Sequence, residues 1–493
     1  MTRRLAPLLL SAVLFASVAE TAELAVRYEV TPSAADGSRA ASRVTVTLGL
    51  PADVTRWHIE VIMPRAIPMG YGSQRYDEFV QDLRGRARSG AEVRVTRKDG
   101  PRWSVEAAAQ NDAIASIEYD VDLAGMEATI LEGGDSSRAR DDYVSLLGYS
   151  VFAYVEGFEA RAIEVSVRPP SNQPDWPVFS TLAPKAPAER GPLTAHAASF
   201  YDLADSQIVM GPGFRVQRLG AAPGLFMLIH AEGPAADEVM APLAHQAFDA
   251  LVAYFGSAPF PHYTLFFDYL KPISPRHSYG FSMEHMGSAT FGALATAALR
   301  PGSTERERSL WRYNVAHHIA HAWIPKRCAG EGYFPFRWEL APLIDTIWFS
   351  EGFGQYAAAD ALSDVLPASA DGKPYRDALV EARFRATLRE MPAFLKQMSL
   401  VDLSRTASTA YSSDFRTGRT VFSRGGLMAS EMDDRIRSAT GGTKRLRDAL
   451  RFLVGWSAKE GRPFHIDELP ALLGPATGVE IRDIMERWLG AMR

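Results

Sequence analysis

Alternating apolar and polar residues mark the first part of the chain as a region of β-strands. In several short segments every second residue is apolar, which is the pattern of a strand with one buried face. These segments are residues 25–30, 43–48, 117–121 and 163–167. Turn-forming residues, such as Asp-Gly-Ser at 36–38, separate them. The pattern predicts a β-sandwich-like N-terminal domain, followed over residues 169–200 by a connection or a loosely ordered edge rich in Pro, Ala and Ser.

From about residue 213 the apolar positions take the spacing of helices. The predicted elements are a helix over 235–255, a buried strand over 264–267, a helix that ends at 325, a helix from 344 to about 366, a helix that starts at 374, and helical structure as far as 481–489. Thr304 and Glu307 form a capping box that opens the helix ending at Pro325. The predicted fold class is therefore multidomain α+β.

Length and charge restrict the classes of protein to consider. The 493 residues exceed what one hydrophobic core usually organises, so we expect roughly two or three domains. The net charge of −5 is small for this length, and the apolar and charged fractions are ordinary for a globular protein. This charge does not favour nucleic acid or an anionic membrane as a partner.

The N-terminus has the pattern of a secretory signal peptide. Arg3 and Arg4 form a basic segment, residues 5–18 form an uncharged apolar run, and Ser17 and Ala19 are small residues at the expected cleavage positions. A membrane anchor is the alternative, but the run is short for a bilayer span. We expect cleavage after Ala19, a periplasmic or secreted location, and no membrane span in the mature chain.

A pair of histidines carries the strongest chemical signal. His317 and His321 lie one turn apart on a predicted helix, so both imidazoles can reach one ion. Glu351, thirty residues after His321 on the next predicted helix, supplies a carboxylate. Together they form the His₂Glu ligand set of a zinc hydrolase with one open coordination position. The usual motif is H-E-x-x-H, in which Glu is the general base, but His318 occupies that place here.

A second acidic segment precedes this pair. Residues 279–285 read Tyr-Gly-Phe-Ser-Met-Glu-His. The small residues before Glu284, including Gly280, suit a backbone that a ligand approaches closely. In a peptidase that acts at a free N-terminus, Glu284 would pair with the ligand's α-ammonium group. The alternative is a buried structural carboxylate held by hydrogen bonds.

These segments resemble the glycyl-aminopeptidase-like family of zinc metallopeptidases, which belongs to the thermolysin-like superfamily. The resemblance covers nearly the whole mature chain. The segment 279–285 is similar to the family's Tyr-Gly-Gly-Leu-Glu-His, with residues 281 and 282 as departures, and residues 201–206 resemble the stretch that leads into the catalytic domain. The family's Trp-Phe-Ser-Glu-Gly-Phe stands intact at Trp348–Phe353. In the family's H-E-x-x-H-x-W-N-V-K-R, residues 317, 321, 323, 326 and 327 fit and residues 318, 324 and 325 depart.

A further departure affects catalysis. The family's Tyr-x-Lys-Gly segment, whose Tyr hydroxyl stabilises the tetrahedral intermediate, reads Phe-Ser-Arg-Gly at 422–425. Phe422 has no hydroxyl to donate, and loss of such a donor costs about a hundredfold or more in rate. Loss of the general base at His318 costs a similar factor. His318 has three possible roles: a weak general base, a fourth zinc ligand, or a spectator. Tyr356 or Tyr411 is a candidate for the missing hydroxyl.

The resemblance implies a domain order and a set of roles. The expected parts are a signal peptide over 1–19, an N-terminal β domain with its connection over 20–200, a thermolysin-like metallopeptidase domain over 201–430, and a C-terminal helical region over 431–493. We expect no PDZ domain, which often follows in the family, because the sequence ends at 493. The implied metal ligands are His317, His321 and Glu351. The implied substrate-binding residues are Tyr279, Gly280 and Glu284, with His318 and Phe422 in the catalytic positions.

Three hypotheses follow for function. The first is an exported zinc-binding protein of the aminopeptidase fold, with impaired or altered hydrolysis, that binds a peptide or amino-acyl ligand with a free N-terminus. The second is an active zinc aminopeptidase that uses His318 as its base. The third is a metal-free exported interaction protein. Zinc content measured together with peptide cleavage separates the three.

Overall fold

The computed structural model of the protein describes residues 25–34, 41–131, 135–368, 372–410 and 414–491. The predicted signal peptide, the turn at 36–38 and Tyr411 lie outside these residues. The described chain is multidomain α+β, with a sheet-rich N-terminal part and a helical C-terminal part, as the sequence predicts. None of its helices is long and apolar enough to cross a bilayer.

The N-terminal part is built from three sheets packed around one apolar core. Its strands are β1 (Val26–Ala34), β2 (Ala41–Gly49), β3 (His58–Ile62), β4 (Val80–Ala87), β5 (Arg94–Arg97), β6 (Arg102–Glu106), β7 (Ile114–Asp122), β8 (Arg138–Arg140), β9 (Tyr143–Leu147), β10 (Tyr154–Val155), β11 (Ile163–Val167), β12 (Pro177–Ser180), β13 (Glu189–Arg190), β14 (Leu193–Ala197) and β15 (Gln207–Met210). They form sheets in the orders β14-β11-β1-β2-β7-β4, β10-β3-β6-β5 and β13-β12-β15-β9-β8. Short helices α1 (Leu123–Thr129), α2 (Gly148–Val151) and α3 (Phe200–Ala204) lie between strands.

The four alternating segments of the sequence all lie in one of these sheets, as β1, β2, β7 and β11. In β2 the apolar residues Val44, Val46 and Leu48 are buried, while the threonines between them are partly exposed. Burial of every second residue makes the register of such a strand specific, because a shift by one residue would expose its apolar face. The alternation of apolar and polar residues predicted from the sequence therefore determines which face of the sheet is buried in the N-terminal part.

The prediction for residues 169–200 was wrong. These residues form β12, β13 and β14, and β14 pairs with β11 at the edge of the six-stranded sheet. In β14 the apolar residues Leu193, Ala195 and Ala197 are buried, and the residues between them are exposed. Two of the three buried residues are alanines, so the strand pattern was concealed by a composition that is typical of loops.

The second part begins with a five-stranded sheet in the order β16-β17-β18-β20-β19. Its strands are β16 (Phe214–Ala221), β17 (Gly224–Ala231), β18 (His262–Leu270), β19 (Gly280–Glu284) and β20 (Ser288–Leu294). β17, β18 and β20 are parallel, and the two edge strands, β16 and β19, are antiparallel to their neighbours. Helix α4 (Asp237–Phe255) packs with α5 (Glu305–Ala320). The capping box of Thr304 and Glu307 at the start of α5 is confirmed.

Helices make up the remainder of the described chain. They are a π-helical turn over Trp348–Phe353, α6 (Gly354–Ser363), α7 (Tyr375–Leu379), a second π-helical turn over Val380–Arg385, α8 (Ala386–Glu390), α9 (Ala393–Gln397), α10 (Leu400–Ala410), α11 (Phe415–Ala439), α12 (Leu446–Glu460), α13 (Leu469–Thr477) and α14 (Arg482–Leu489). The helix predicted from residue 344 begins only at Trp348. The residues before it are held outside the helix in part because Ser408 Oγ on α10 accepts a hydrogen bond of 2.9 Å from the backbone N–H of Ile344.

Two glycines fix the position of the π-helical turn that carries Glu351. A Cβ atom on Gly352 would lie 2.5 Å from the backbone of Gly425 on α11, and a Cβ atom on Gly425 would overlap the carbonyl oxygen of Trp348. The two backbones therefore approach more closely than any side chain permits. This contact brings the Ser-Glu-Gly segment and the segment 422–425 against each other beside the candidate site.

Candidate metal centre and ligand cleft

The structure brings His317, His321 and Glu351 together. His317 Nε2 lies 2.8 Å from His321 Nε2 and 3.2 Å from Glu351 Oε2, and His321 Nε2 lies 3.7 Å from the same Glu351 oxygen. Tetrahedral zinc with ligand distances of about 2.0–2.1 Å holds its donor atoms about 3.3 Å apart. All three side chains are largely buried, so the spacing and the chemistry of this donor set fit a zinc ion.

The surroundings prepare both imidazoles to act as ligands. His321 Nδ1 lies 2.7 Å from the carbonyl oxygen of Ile324, so the ring proton sits on Nδ1 and leaves the Nε2 lone pair facing Glu351. Burial, together with His321 and His318, lowers the pKa of His317 well below its usual range. Burial raises the pKa of Glu351. A neutral imidazole is the form that binds a metal, and a cation at this centre would stabilise the ionised Glu351.

His318 faces the same centre. Its Nδ1 lies 3.6 Å from Glu284 Oε2, and its ring stands edge-on to Phe291 with a centroid distance of 5.2 Å. Nδ1 is buried and forms no hydrogen bond within the part of the chain that the structure describes. His318, Glu284 and His321 form a second group of donor atoms that lie within 4.8 Å of one another. The side chain is thus placed among the metal-binding groups, and its role stays a prediction.

Glu284 ends the edge strand β19 and lines the cleft beside His317 and Glu351. It is 4% exposed, and His318 Nδ1 lies 3.6 Å from its Oε2. Burial raises the pKa of Glu284, but the interactions with His321, His318 and Lys326 outweigh burial, so the net shift of the pKa is downward. A buried carboxylate that stays ionised needs cationic or hydrogen-bonding partners nearby, and a ligand's ammonium group is one such partner. The role of Glu284 in ligand binding and the alternative of a structural carboxylate both stay predictions.

Tyr279 and Gly280 also lie along the cleft. The Tyr279 hydroxyl donates a hydrogen bond of 2.8 Å to Glu127 Oε1, which belongs to α1 of the N-terminal part. Tyr279 therefore joins the two parts of the molecule while one side of its ring faces the cleft. Gly280 has an ordinary backbone conformation, and its added Cβ would approach Ser278 O only to 3.8 Å. The protein itself leaves room for a side chain there, so any steric need for glycine would come from a ligand.

Phe422 lies on α11 and lines the cleft without a hydroxyl. Of the two tyrosines considered as substitutes, Tyr356 donates its hydroxyl hydrogen bond to the buried Asp433 Oδ2 at 2.6 Å. Tyr71, from the loop after β3, was missed by the sequence analysis. Its hydroxyl lies 3.3 Å from Ser350 Oγ, contacts Glu351 and lines the cleft. No local motif marks Tyr71, because only the packing of the N-terminal part against the second part brings it there.

The cleft has a volume of about 840 Å³. This volume is within the range of sites that hold a small ligand or a short peptide. Arg383, Arg419 and Phe415 line it together with the metal-binding groups. The cleft therefore combines a group of side chains that could hold a metal ion, a buried carboxylate and cationic side chains.

In this structure a helix with two histidines one turn apart lies beside the cleft, and the edge strand β19 of a mixed sheet lines the same cleft. Comparison with known families agrees. Residues 27–212 match the model of the Peptidase M61 N-terminal domain. The resemblance predicted from the sequence is confirmed as a resemblance: over these residues the chain is similar to the N-terminal domain of the M61 peptidases.

Solved structures agree on the fold. An aminopeptidase N family protein from Idiomarina loihiensis superposes with a TM-score of 0.80 at 17% identity, over 95% of this chain and 76% of that chain. An M1 zinc metallopeptidase from Deinococcus radiodurans gives a TM-score of 0.52 at 18% identity, over 95% and 94% of the two chains. A glutamate-to-alanine variant of the latter, bound to a Tyr-Ser-Ala substrate, gives 0.53 at 17% identity over 95% and 94%. No curated protein matches the chain in sequence.

Proposed function

We propose that the protein is an exported zinc-binding protein of the aminopeptidase fold that captures peptides by their free N-terminus and hydrolyses them slowly. The observation that carries the proposal is the juxtaposition of two features in one cleft. One is the buried donor set of His317, His321 and Glu351, with zinc-like spacing. The other is Glu284, a buried carboxylate in the lining of the same cleft whose pKa is held below its usual range.

Each group has a distinct part in this proposal. Zinc bound to the three donors would act as a Lewis acid toward a ligand carbonyl. Glu284 holds the α-ammonium group and thereby sets the position of the first peptide bond. His318 occupies the place of the general base, and its Nδ1 faces the cleft without a partner among the described residues. Phe422 offers only an apolar surface where the related peptidases have a hydroxyl.

An active aminopeptidase is the second candidate. The observation that favours it is the position of His318, which lines the cleft and whose Nδ1 lies 3.6 Å from Glu284 Oε2. A neutral imidazole in such a position can accept a proton from an attacking water. Turnover of amino-acyl substrates by zinc-loaded protein at ordinary enzyme rates supports this candidate over the first.

Export is part of the proposal and rests on the sequence of residues 1–19. We expect the mature protein to begin at Glu20 and to be found outside the cytoplasm. Mass spectrometry of the N-terminal peptide after expression in a Gram-negative host, with cell fractionation, tests this. A variant with Arg3 and Arg4 replaced by Glu should accumulate uncleaved. Wild-type protein that keeps residues 1–19 and stays in the cytoplasm rules export out.

Capture of the N-terminus is tested at Glu284. We expect the Glu284→Gln change to weaken binding of Ala-Ala by about thirtyfold or more, because it removes the negative charge that pairs with the buried ammonium group. N-acetylation of the ligand should cost the wild-type protein a similar factor and the variant almost nothing. Titration calorimetry of the zinc-loaded proteins measures both effects.

Glu486→Gln is the matched control, since Glu486 is an exposed glutamate on α14, remote in sequence from the cleft residues. It should bind Ala-Ala with the wild-type affinity. The assignment of Glu284 is wrong if acetylated and free peptides bind the wild-type protein equally well. Binding that does not depend on added zinc supports the third hypothesis, a metal-free interaction protein.

A further inference from the structure

Two arginines in the cleft differ from their neighbours in lacking a carboxylate partner. Arg383 and Arg419 both line the cleft, and neither forms an ion pair or a hydrogen bond within the described ranges. Their guanidinium groups lie instead over aromatic rings, Arg383 over Tyr313 and Arg419 over Phe415, each 4.9 Å from the ring centroid. An arginine that stacks on a ring keeps its N–H donors free for a ligand.

The arginines next to them in sequence are neutralised. Arg385 and Arg389 share Glu381, at 3.7 Å and 2.8 Å, and Arg416 pairs with Asp414 at 2.8 Å. These three lie outside the lining of the cleft. Carboxylate partners therefore lie beside the outward-facing arginines of these helices, while the two cleft arginines have none among the residues that the structure describes.

Arg383 is also close to the metal-binding groups. Its guanidinium covers the ring of Tyr313, and that ring stacks on the ring of His317 at a centroid distance of 6.5 Å. Arg383 is half-buried and Arg419 is exposed, so a charge bound at Arg383 is less screened by water.

We propose that Arg383, assisted by Arg419, binds a carboxylate of the same ligand whose amine Glu284 holds. The cleft then selects ligands that carry both a free N-terminus and a negative charge a short distance away. Such a charge is either the α-carboxylate of a di- or tripeptide or an acidic side chain near the N-terminus of a longer peptide. A guanidinium binds either carboxylate through two parallel hydrogen bonds. This inference rests on the proposed function and specifies its ligand class.

The test compares ligands that differ only in charge. Zinc-loaded protein is titrated with Ala-Ala and Ala-Ala-amide, which tests the α-carboxylate, and with Ala-Glu-amide and Ala-Gln-amide, which tests the acidic side chain. We expect at least one of the two charged ligands to bind about tenfold or more tightly than its neutral counterpart, as a charge-assisted bidentate contact allows. The pair that shows the difference identifies which carboxylate the cleft takes.

Variants assign the effect to the arginines. Arg383→Gln should remove most of the preference for the charged ligand, and Arg419→Gln should reduce it by a smaller factor. Arg385→Gln is the matched control, because Arg385 lies on the same π-helical turn as Arg383 and outside the cleft lining. It should keep the full preference. Circular dichroism should be unchanged in all three variants.

The outcomes separate this inference from the proposed function. Equal affinity for charged and neutral ligands in the wild-type protein overturns the carboxylate site, while a continuing requirement for a free amine keeps the proposed function. A preference for charged ligands that persists in both Arg383→Gln and Arg419→Gln also overturns it. Conversely, Arg383-dependent binding of N-acetylated peptide acids, with no gain from a free amine, supports the carboxylate site and contradicts N-terminal capture. Absence of binding by every ligand contradicts both.

Discussion

Replacement of His321 by alanine is expected to abolish retention of zinc by the purified protein. His321 is fully buried, and the carbonyl oxygen of Ile324 holds its ring with Nε2 toward His317 and Glu351. The remaining imidazole and carboxylate cannot form the three-ligand set that a zinc hydrolase site requires. Wild-type protein should retain about one zinc per chain after dialysis, and the variant close to none, as measured by elemental analysis.

His245→Ala is the matched control for this change. His245 lies on α4 with an exposed side chain, outside the metal-binding groups, so its loss should leave the zinc content unchanged. Circular dichroism of the His321→Ala variant is needed as well, because a buried side chain is lost and the packing around it changes. A wild-type protein that holds no stoichiometric metal even after supplementation with zinc would show that this donor set has lost its function.

Local patterns in the sequence predicted the features that depend on interactions between residues close together in the chain. Helical spacing placed His317 and His321 on one face, the capping box located the start of α5, and alternation placed β1, β2, β7 and β11 in a sheet. Each of these features is decided by residues only a few positions apart. Glu351 was joined to the histidine pair as a carboxylate on the next predicted helix, and the family resemblance then gave Glu284 its place beside them.

The features that were missed depend on packing between distant segments. Tyr71 reaches the cleft only because the N-terminal part packs against the π-helical turn that carries Ser350. Among the described residues Arg383 has no carboxylate partner, whereas its neighbours Arg385 and Arg389 both pair with Glu381. The sequence alone does not show this difference. The contact of His318 with Glu284 joins a helix and an edge strand that are separated in sequence. In each case the sequence shows the residue type but not its environment, which determines its chemistry.

The second large effect concerns catalysis and its repair. Aminopeptidase turnover by the wild-type protein is expected to be very low, because His318 stands where the base belongs and Phe422 where the hydroxyl donor belongs. His318→Glu restores a base but leaves the oxyanion short of a donor, and Phe422→Tyr restores the donor but leaves the water without its base. Each missing group costs about a hundredfold or more. The double variant should exceed the product of the two single effects, because residues of one catalytic unit act non-additively.

The structure adds a condition to this repair. His318 Nδ1 lies 3.6 Å from Glu284 Oε2, so His318→Glu places two carboxylates side by side in a buried cleft. Their repulsion is relieved only when a cation is bound, so rates must be measured on zinc-saturated protein, with kcat and KM determined separately. His318→Gln is the matched control, because it has the shape of the glutamate and no basic oxygen. It should give no gain in turnover, alone or together with Phe422→Tyr.

The rates of the His318 and Phe422 variants identify both the residue that acts as general base and the residue that donates a hydrogen bond to the oxyanion. If His318→Glu alone reaches the rate of the double variant, residue 422 is not the missing donor, and Tyr71, whose hydroxyl lies beside Ser350 and Glu351, becomes the residue to test next. If neither single nor double variant gains activity although zinc is bound, the cleft has been remodelled beyond these two positions. Ordinary turnover by the wild-type protein, lost in His318→Gln, would show that His318 itself serves as the base and that the first hypothesis is wrong.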